Sequence, residues 1–224
     1  MRIRGNLAGL LVLPFVALIF GCVAGGLILA GRDAARQAAR VAQLSPLSAT
    51  VLEDSPPGRA ALIEGRISER NRQRLRAFVA YVREEYRGSD DDGDPTWYED
   101  ERVTPPLLVE LADGRVQIEN ADYRLERAPV TWQEDTALWW NGISGEGTKR
   151  YTGFVAGNPV TAIGTVVQGR EGRALNAERL YGGSRADYIA EKRSDAAILP
   201  WIGGALGLVS AILLGVWGRL LLRR

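Results

Sequence analysis

The 224-residue chain has no histidine and a single cysteine, Cys22. The missing histidine excludes Ser-His-Asp and Cys-His catalysis and a metal site of the HExxH type. One cysteine cannot form an internal disulfide, a CxxC pair or a cysteine-rich zinc site. We therefore predict no metal and no cofactor, and no catalytic residue can be nominated.

Acidic residues are missing from both ends of the chain, since all 27 of them lie between Asp33 and Asp195. Two uncharged, mostly apolar runs flank this region, of 27 residues (5–31) and 23 residues (196–218). A helix crosses the bilayer core with about 20 apolar residues, and a charge at its centre costs about 2.5–3.5 kcal/mol. The sequence thus predicts two transmembrane helices, at 5–31 and 196–218, in contact with the lipid bilayer.

The first run allows two alternatives. A cleaved signal peptide also begins with an apolar segment, and the residues before Cys22 hint at a lipoprotein cleavage box. Phe20 is larger than the residue expected in such a box, and the apolar run continues beyond Cys22 to Ala30. We favour an uncleaved anchor.

Arginine placement predicts the orientation. The N-terminal tail carries two arginines and the C-terminal tail (219–224) carries three, whereas the inner flanks of both runs mix the two signs of charge. The positive-inside rule therefore places both termini in the cytoplasm and the central region outside it.

Glycines four residues apart indicate a helix–helix contact. Gly21 and Gly25 lie in the first run, and Gly203 and Gly207 lie in the second. Such pairs let helix backbones approach closely, within one chain or in a homo-oligomer. The alternative is that glycine is simply frequent in membrane helices.

Residues 32–195 hold 23 basic and 27 acidic side chains, a net charge of −4. Nucleic-acid binding is not expected, because it requires a strongly basic face. Residues 32–58 read as a helical stretch followed by a linker rich in serine and proline. Residues 59–183 read as a β-rich domain, and 184–195 as a short helix leading into the second span.

Strand signals in the β-rich domain predict five to seven short strands. Apolar runs surround the Asp113-Gly114 turn, and a second hairpin is predicted around residues 169–172. Residues 132–151 show no clear pattern. The predicted fold class is α+β and membrane-anchored, with a small barrel or rolled sheet between two transmembrane helices.

Two clusters are candidate interaction sites. Trp139 and Trp140 could form a ligand platform or an interface anchor, although core packing of one ring is the preferred interpretation. Arg70, Arg72 and Arg74, with Arg66 and Arg76 nearby, could meet anionic lipid headgroups or could simply be solvated.

An acidic loop is a third candidate. Asp90, Asp92 and Asp94 alternate beside Gly93, which precedes the third acid rather than following it as in an EF-hand loop. We favour a solvated loop over a weak cation site.

Three stretches together resemble the GIDE-type or "beside a membrane" domain of the MULAN/MAPL mitochondrial-anchor ubiquitin ligases. They are residues 61–67 (ALIEGRI), 104–116 (TPPLLVELADGRV) and 157–166 (GNPVTAIGTV). The resemblance covers about residues 55–218 and looks like a prokaryotic-type form. It implies a sensing or protein-interaction role on the outer side of a membrane, with no catalytic residues in the module.

This chain departs from the family at two points. Leu107 stands where the family usually has phenylalanine. No RING is expected, because a RING needs about eight Cys or His zinc ligands. A non-catalytic interaction module with a protein or lipid partner is therefore the main hypothesis. A ligase-like or carboxylate-dependent hydrolytic enzyme, and a structural role in envelope integrity, are the alternatives.

Topology is directly testable. We expect a reporter fused after Arg224 and a reporter inserted near Gly93 to lie on opposite sides of the membrane, because the arginine-rich tails are retained in the cytoplasm. Alkaline phosphatase and green fluorescent protein fusions measure this. Activity of both fusions on the same side would contradict the two-span topology.

Overall fold

The computed structural model describes residues 4–142 and 146–222, with side chains from Val12 onward. The chain divides into two units, one comprising Met1–Gln43 and Tyr188–Arg224 and the other Leu44–Asp187. Its helices are α1 (Arg4–Gln43), α2 (Ala49–Glu53) and α3 (Arg185–Leu222). Helices α1 and α3 are both long and apolar enough to cross a membrane.

Helices α1 and α3 are longer than the segments expected from sequence. The stretch after residue 31 continues α1 without a break, and the short helix predicted at 184–195 is the first part of α3. No glycine or proline lies between residues 185 and 199, so nothing ends the helix before the apolar run. Pro200 lies inside α3.

The two long helices pack antiparallel within their unit. The Ser210 hydroxyl donates to the Ala17 carbonyl at 2.7 Å, and towards the other end the Tyr188 hydroxyl donates to Gln37 at 3.1 Å. Small residues such as Ala24 and Gly203 are buried along the contact. Small side chains at the interface are the usual means by which membrane helices approach closely.

The remaining unit is built mostly from strands. In chain order they are β1 (Ala60–Ile67), β2 (Phe78–Ser89), β3 (Pro95–Val103), β4 (Leu107–Leu111), β5 (Gly114–Ile118), β6 (Arg124–Glu126), β7 (Val130–Gln133), β8 (Lys149–Val155), β9 (Pro159–Gln168) and β10 (Arg173–Gly182).

Five of these strands form a closed barrel in the order β5-β4-β1-β9-β10, with β10 returning to β5. The closing pair is parallel and joins Leu175 to Ile118, whereas the other barrel pairs are antiparallel. This strand order with one parallel pair is the connectivity of OB-fold barrels. The predicted α+β class, the small barrel and both hairpins are therefore confirmed.

A second, four-stranded antiparallel sheet has the order β3-β2-β8-β7. Strands β2 and β3 are inserted between barrel strands β1 and β4, and β7 and β8 between β5 and β9. Strand β3 was not predicted, because four of its nine residues are charged and none of the nine is buried. Of the unassigned residues 132–151, the first two end β7 and the last three begin β8, and residues 143–145 lie outside the described part of the chain.

The barrel interior holds the main core. Alternate residues of each strand point inward, so that Ile63, Ile118, Leu175 and Leu180 are fully buried in it. Leu52 of α2 joins this core. The segment predicted as a linker therefore contains a short helix that contributes a core residue.

Two glycines are required where the barrel strands lie closest together. A Cβ atom on Gly164 would lie 2.0 Å from the Asn176 carbonyl oxygen, and one on Gly65 would lie 2.4 Å from the Glu110 oxygen. Real side-chain carbons do not approach a neighbouring backbone this closely. Any other residue at either position would push adjacent strands apart.

We expect Gly164→Ala to lower the free energy of unfolding of the barrel by about 1–3 kcal/mol, the usual cost of overpacking. Asn176→Ala is the matched control, because it changes an exposed side chain on the paired strand. Denaturant unfolding of the detergent-solubilised full-length protein measures the difference. Equal stability of the two variants would show that the strands separate without cost.

Candidate interaction surfaces

Trp139 and Trp140 lie in the loop between β7 and β8, and both residues are exposed, at 49% and 40% of their surface. The sequence favours core packing of one ring, and this expectation is wrong, since both residues are exposed. Leu138 beside them is also exposed. The three residues present a continuous apolar sequence to solvent, which is the arrangement of an interaction surface rather than of core packing.

Hydrogen bonds hold the loop in place. The Trp139 amide donates to the Thr148 hydroxyl at 3.1 Å, and the Thr148 amide donates to the Trp139 carbonyl at 3.0 Å. The Tyr86 amide of β2 in turn donates to the Thr148 carbonyl at 2.9 Å. The Trp140 ring lies against Gly88, where a Cβ would be 3.4 Å away. The exposed tryptophans therefore stand on an ordered support.

Glu85 is the buried polar residue beneath this loop, with only 4% of its surface exposed. Its carboxylate accepts hydrogen bonds from the Gly147 amide at 3.0 Å and from the Arg87 guanidinium at 3.0 Å, and it pairs with Lys149. These contacts, the Lys149 hydrogen bond first and the Gly147 amide next, lower the pKa of Glu85 to about 2. Sequence reasoning missed Glu85, because a Glu84-Glu85 pair on a strand looks like ordinary surface charge.

The charge network continues across the second sheet. Lys149 also contacts Asp100 at 3.3 Å, and Arg83 contacts Asp100 at 2.9 Å and Glu101 at 2.8 Å. Each acid therefore faces at least one base. Paired charges of this kind stabilise a sheet across its strands.

Two of the clustered arginines have structural contacts. The Arg76 guanidinium stacks on the Trp132 ring with 3.8 Å to its centroid, and Arg66 donates to the Gly157 carbonyl at 2.9 Å. Arg70, Arg72 and Arg74 lie in the connection between β1 and β2, and all three are exposed. The tryptophan and arginine candidates thus lie in different connections, and the cavities lined by these arginines include neither Trp139 nor Trp140.

The acidic loop is the turn that joins β2 to β3. The Asp90 carboxylate accepts from the amides of Asp92 at 3.1 Å and Asp94 at 2.9 Å, and Gly93 has a φ of 88°. Asp90 therefore stabilises its own turn. Among the described residues, no group of three metal-ligating side chains lies together.

The glycines proposed for helix packing differ in their surroundings. A Cβ on Gly203 would lie 2.8 Å from the Ala24 carbonyl oxygen, and one on Gly21 would lie 3.3 Å from the Ser210 hydroxyl. Among the described residues, a Cβ on Gly25 would meet no atom within 4 Å, and one on Gly207 would meet only the Ala24 Cβ, at 3.8 Å. Gly31, which no spacing singled out, faces Pro200 at 2.7 Å. One glycine of each pair therefore packs closely against the other helix.

Comparison with known proteins adds no relative. No protein-family model, no curated protein and no solved structure matches the chain. Any functional assignment therefore depends on the residues and their geometry.

We expect Glu85→Gln to destabilise the second sheet by about 1–3 kcal/mol at neutral pH, because charge-assisted hydrogen bonds to Lys149, Arg87 and Gly147 are lost or weakened. Since the pKa of Glu85 is lowered on folding, its contribution is complete above the unfolded pKa near 4.5 and disappears as the pH falls towards 2.

The stability difference between wild type and Glu85→Gln should therefore shrink progressively between these pH values. Denaturant unfolding at a series of pH values measures it, with the exposed acid Asp135 changed to Asn as the control. A difference that stays constant with pH would show that the ionised form of Glu85 is not what stabilises the sheet.

Proposed function

We propose that the protein is a two-span integral membrane protein that displays a non-catalytic interaction or sensing module beside the bilayer. The observation that carries this proposal is the apolar outer surface of α1 and α3. Phe15 is 64% exposed and Trp201 is 82% exposed, and the large side chains around them are similarly open. Apolar surface of this extent along two paired helices supports a location in the lipid bilayer.

Helix length supports the same conclusion. Helix α1 has 40 residues and α3 has 38. At 1.5 Å per residue, each is close to twice the roughly 30 Å of a bilayer core. Each helix therefore contains a complete span and additional turns outside the hydrocarbon. In the proposed orientation both termini are cytoplasmic, as the arginine-rich tails predict. The unit Leu44–Asp187, called the β unit below, is then extracytoplasmic.

The likeness to the GIDE-type domain gives the proposal its specific form. Its three stretches fall on β1, on the β4–β5 hairpin and on β9 with the turn before it, and these four strands are neighbours in the barrel. Gly65 and Gly164, two glycines of those stretches, are the positions where a Cβ would meet the next strand. The stretches thus form one physical unit, which supports a GIDE-like module.

An interaction role fits the surface of the module better than an enzymatic one. The exposed Leu138, Trp139 and Trp140 stand on a rigid support, and exposed aromatics of this type are frequent anchors of protein interfaces. In the second sheet, Glu85 and Asp100 each form an ion pair with a basic side chain, Lys149 and Arg83 respectively. We therefore propose a protein partner that docks on Leu138, Trp139 and Trp140 of the β7–β8 loop, called the tryptophan loop below.

A photo-crosslinking amino acid at Trp139, in the full-length protein in its native membrane, tests this proposal. We expect a discrete crosslinked product there and none from the same amino acid at Asn176, an exposed residue on β10. Mass spectrometry identifies the product.

A product of the same mass from both positions would mean random collision rather than docking. If position 139 crosslinks only to lipid, the loop contacts the bilayer surface and the proposed protein partner is wrong. The absence of any product would contradict the interaction role of this loop.

A further inference from the structure

A second feature of the β unit is a groove on the outside of the barrel. It consists of a cavity of about 540 Å³ and an adjoining one of about 310 Å³, which share Arg70 and Glu171. The β1–β2 connection, the β4–β5 hairpin and the β9–β10 turn form its walls. Even without the adjoining cavity, the volume of the larger one is within the range of small-molecule sites.

Arginine dominates the lining of this groove. Six arginines face two glutamates, Glu53 and Glu171, and the arginines are Arg70, Arg72, Arg74, Arg115, Arg170 and Arg173. The local balance is +4, although residues 32–195 as a whole carry −4. The groove is therefore a concentrated positive site on an acidic region.

Most of these arginines have no acidic partner. Among the described residues, Arg70, Arg72, Arg74, Arg115 and Arg170 form no ion pair. Elsewhere in the described part of the unit, Arg83, Arg87, Arg102, Arg150 and Arg179 are paired with acids, whereas Arg59, Arg66, Arg76 and Arg124 are not. Glu110 lies opposite Arg115 on β4, but its carboxylate accepts from the Ser68 hydroxyl at 2.7 Å instead. The guanidinium groups are thus available to a ligand.

The backbone around the groove is fixed. The Glu53 carboxylate of α2 accepts the Arg173 amide at 2.9 Å, and the Gly169 amide donates to the Gly172 carbonyl at 2.8 Å, which closes the turn. Side chains alternate between the two faces of β5. Val116 and Ile118 are buried, so Arg115 and Gln117 point outward. Charges from three separate chain segments are therefore held on one face.

We propose that this groove binds a phosphate-bearing ligand. Guanidinium groups recognise phosphate oxygens with pairs of charge-assisted hydrogen bonds, and several of them can share the oxygens of one polyanion. Among the described residues that line the groove, none is an aromatic side chain on which bases could stack, so a single-stranded nucleic acid is disfavoured. The phosphate belongs either to a lipid headgroup or to a soluble compound. This assignment goes beyond the proposed function and does not depend on the tryptophan loop.

Full-length protein in neutral detergent provides the test, with inorganic tripolyphosphate and water-soluble dihexanoyl phosphatidylglycerol as probes. We expect saturable binding by titration calorimetry for at least one probe, beyond that of chloride at equal ionic strength. Binding of tripolyphosphate alone identifies a soluble source, and binding of the lipid alone identifies a headgroup. Binding of both shows that the phosphate group itself is recognised.

The double variant Arg115→Gln/Arg170→Gln should bind about tenfold more weakly or worse, because two charge-assisted contacts are lost. Arg124→Gln is the matched control, since Arg124 is exposed on β6 and does not line the groove. Thermal unfolding verifies that each variant is folded. If the strand variant is not, Arg72→Gln/Arg74→Gln, in the connection outside the strands, replaces it.

No saturable binding of either probe by the wild type, or equal binding by the folded double variant, would overturn the proposal. Neither outcome would affect the membrane topology or the crosslinking at Trp139. The groove and the interaction surface are therefore separately testable.

Discussion

Closure of the five-stranded barrel is the constraint on which the β unit depends. The circuit is completed by the short parallel contact of β5 with β10, at Ile118 and Leu175, both fully buried. A barrel of five strands is narrow, so its backbone must bend sharply and neighbouring strands must approach closely. Gly65 and Gly164 are placed where that approach leaves no room for a side chain.

Once the barrel is closed, its connections become the places where other structure is attached. Carboxylates that accept backbone amides fix several of these attachments. Asp113 accepts the Ala49 and Thr50 amides and holds α2, and Glu64 accepts the Arg185 amide where α3 begins. Glu53 and Glu85 act in the same way on the β9–β10 turn and on the tryptophan loop. The loops are thus ordered without disulfides, which one cysteine could not have supplied.

The sequence predicted the parts of the fold that carry strong local signals. The Asp113-Gly114 turn between apolar runs indicated β4 and β5, and uncharged length indicated the two long helices. Strand β3 is not predictable from its own segment, because its stability comes from pairing with β2 and from ion pairs to charges on neighbouring strands.

The candidate sites were also predicted only in part, because some of their residues are brought together by long-range contacts. Trp139, Arg70, Arg72 and Arg74 were recognisable by residue type and clustering alone. Arg115 and Arg170 join the groove only through the pairing of distant strands, and Glu85 becomes distinctive only when it is buried. Long-range contacts of this kind have no signature in a stretch of ten residues.

The absence of histidine has a consequence for how the module would respond to its surroundings. Histidine is the side chain whose ordinary pKa lies between about 5 and 8, and it supplies most proton-driven switches. Here the shifted groups move away from that range. Hydrogen bonds from bases and backbone amides lower the pKa of Glu85, Glu99 and Asp113, and those from the Ser184 hydroxyl and amide lower the pKa of Asp187. Burial raises the pKa of Tyr81, Tyr123 and Tyr151. The charges of these groups stay constant as a compartment acidifies mildly, so ionic strength rather than acidity is the condition that would tune their contacts.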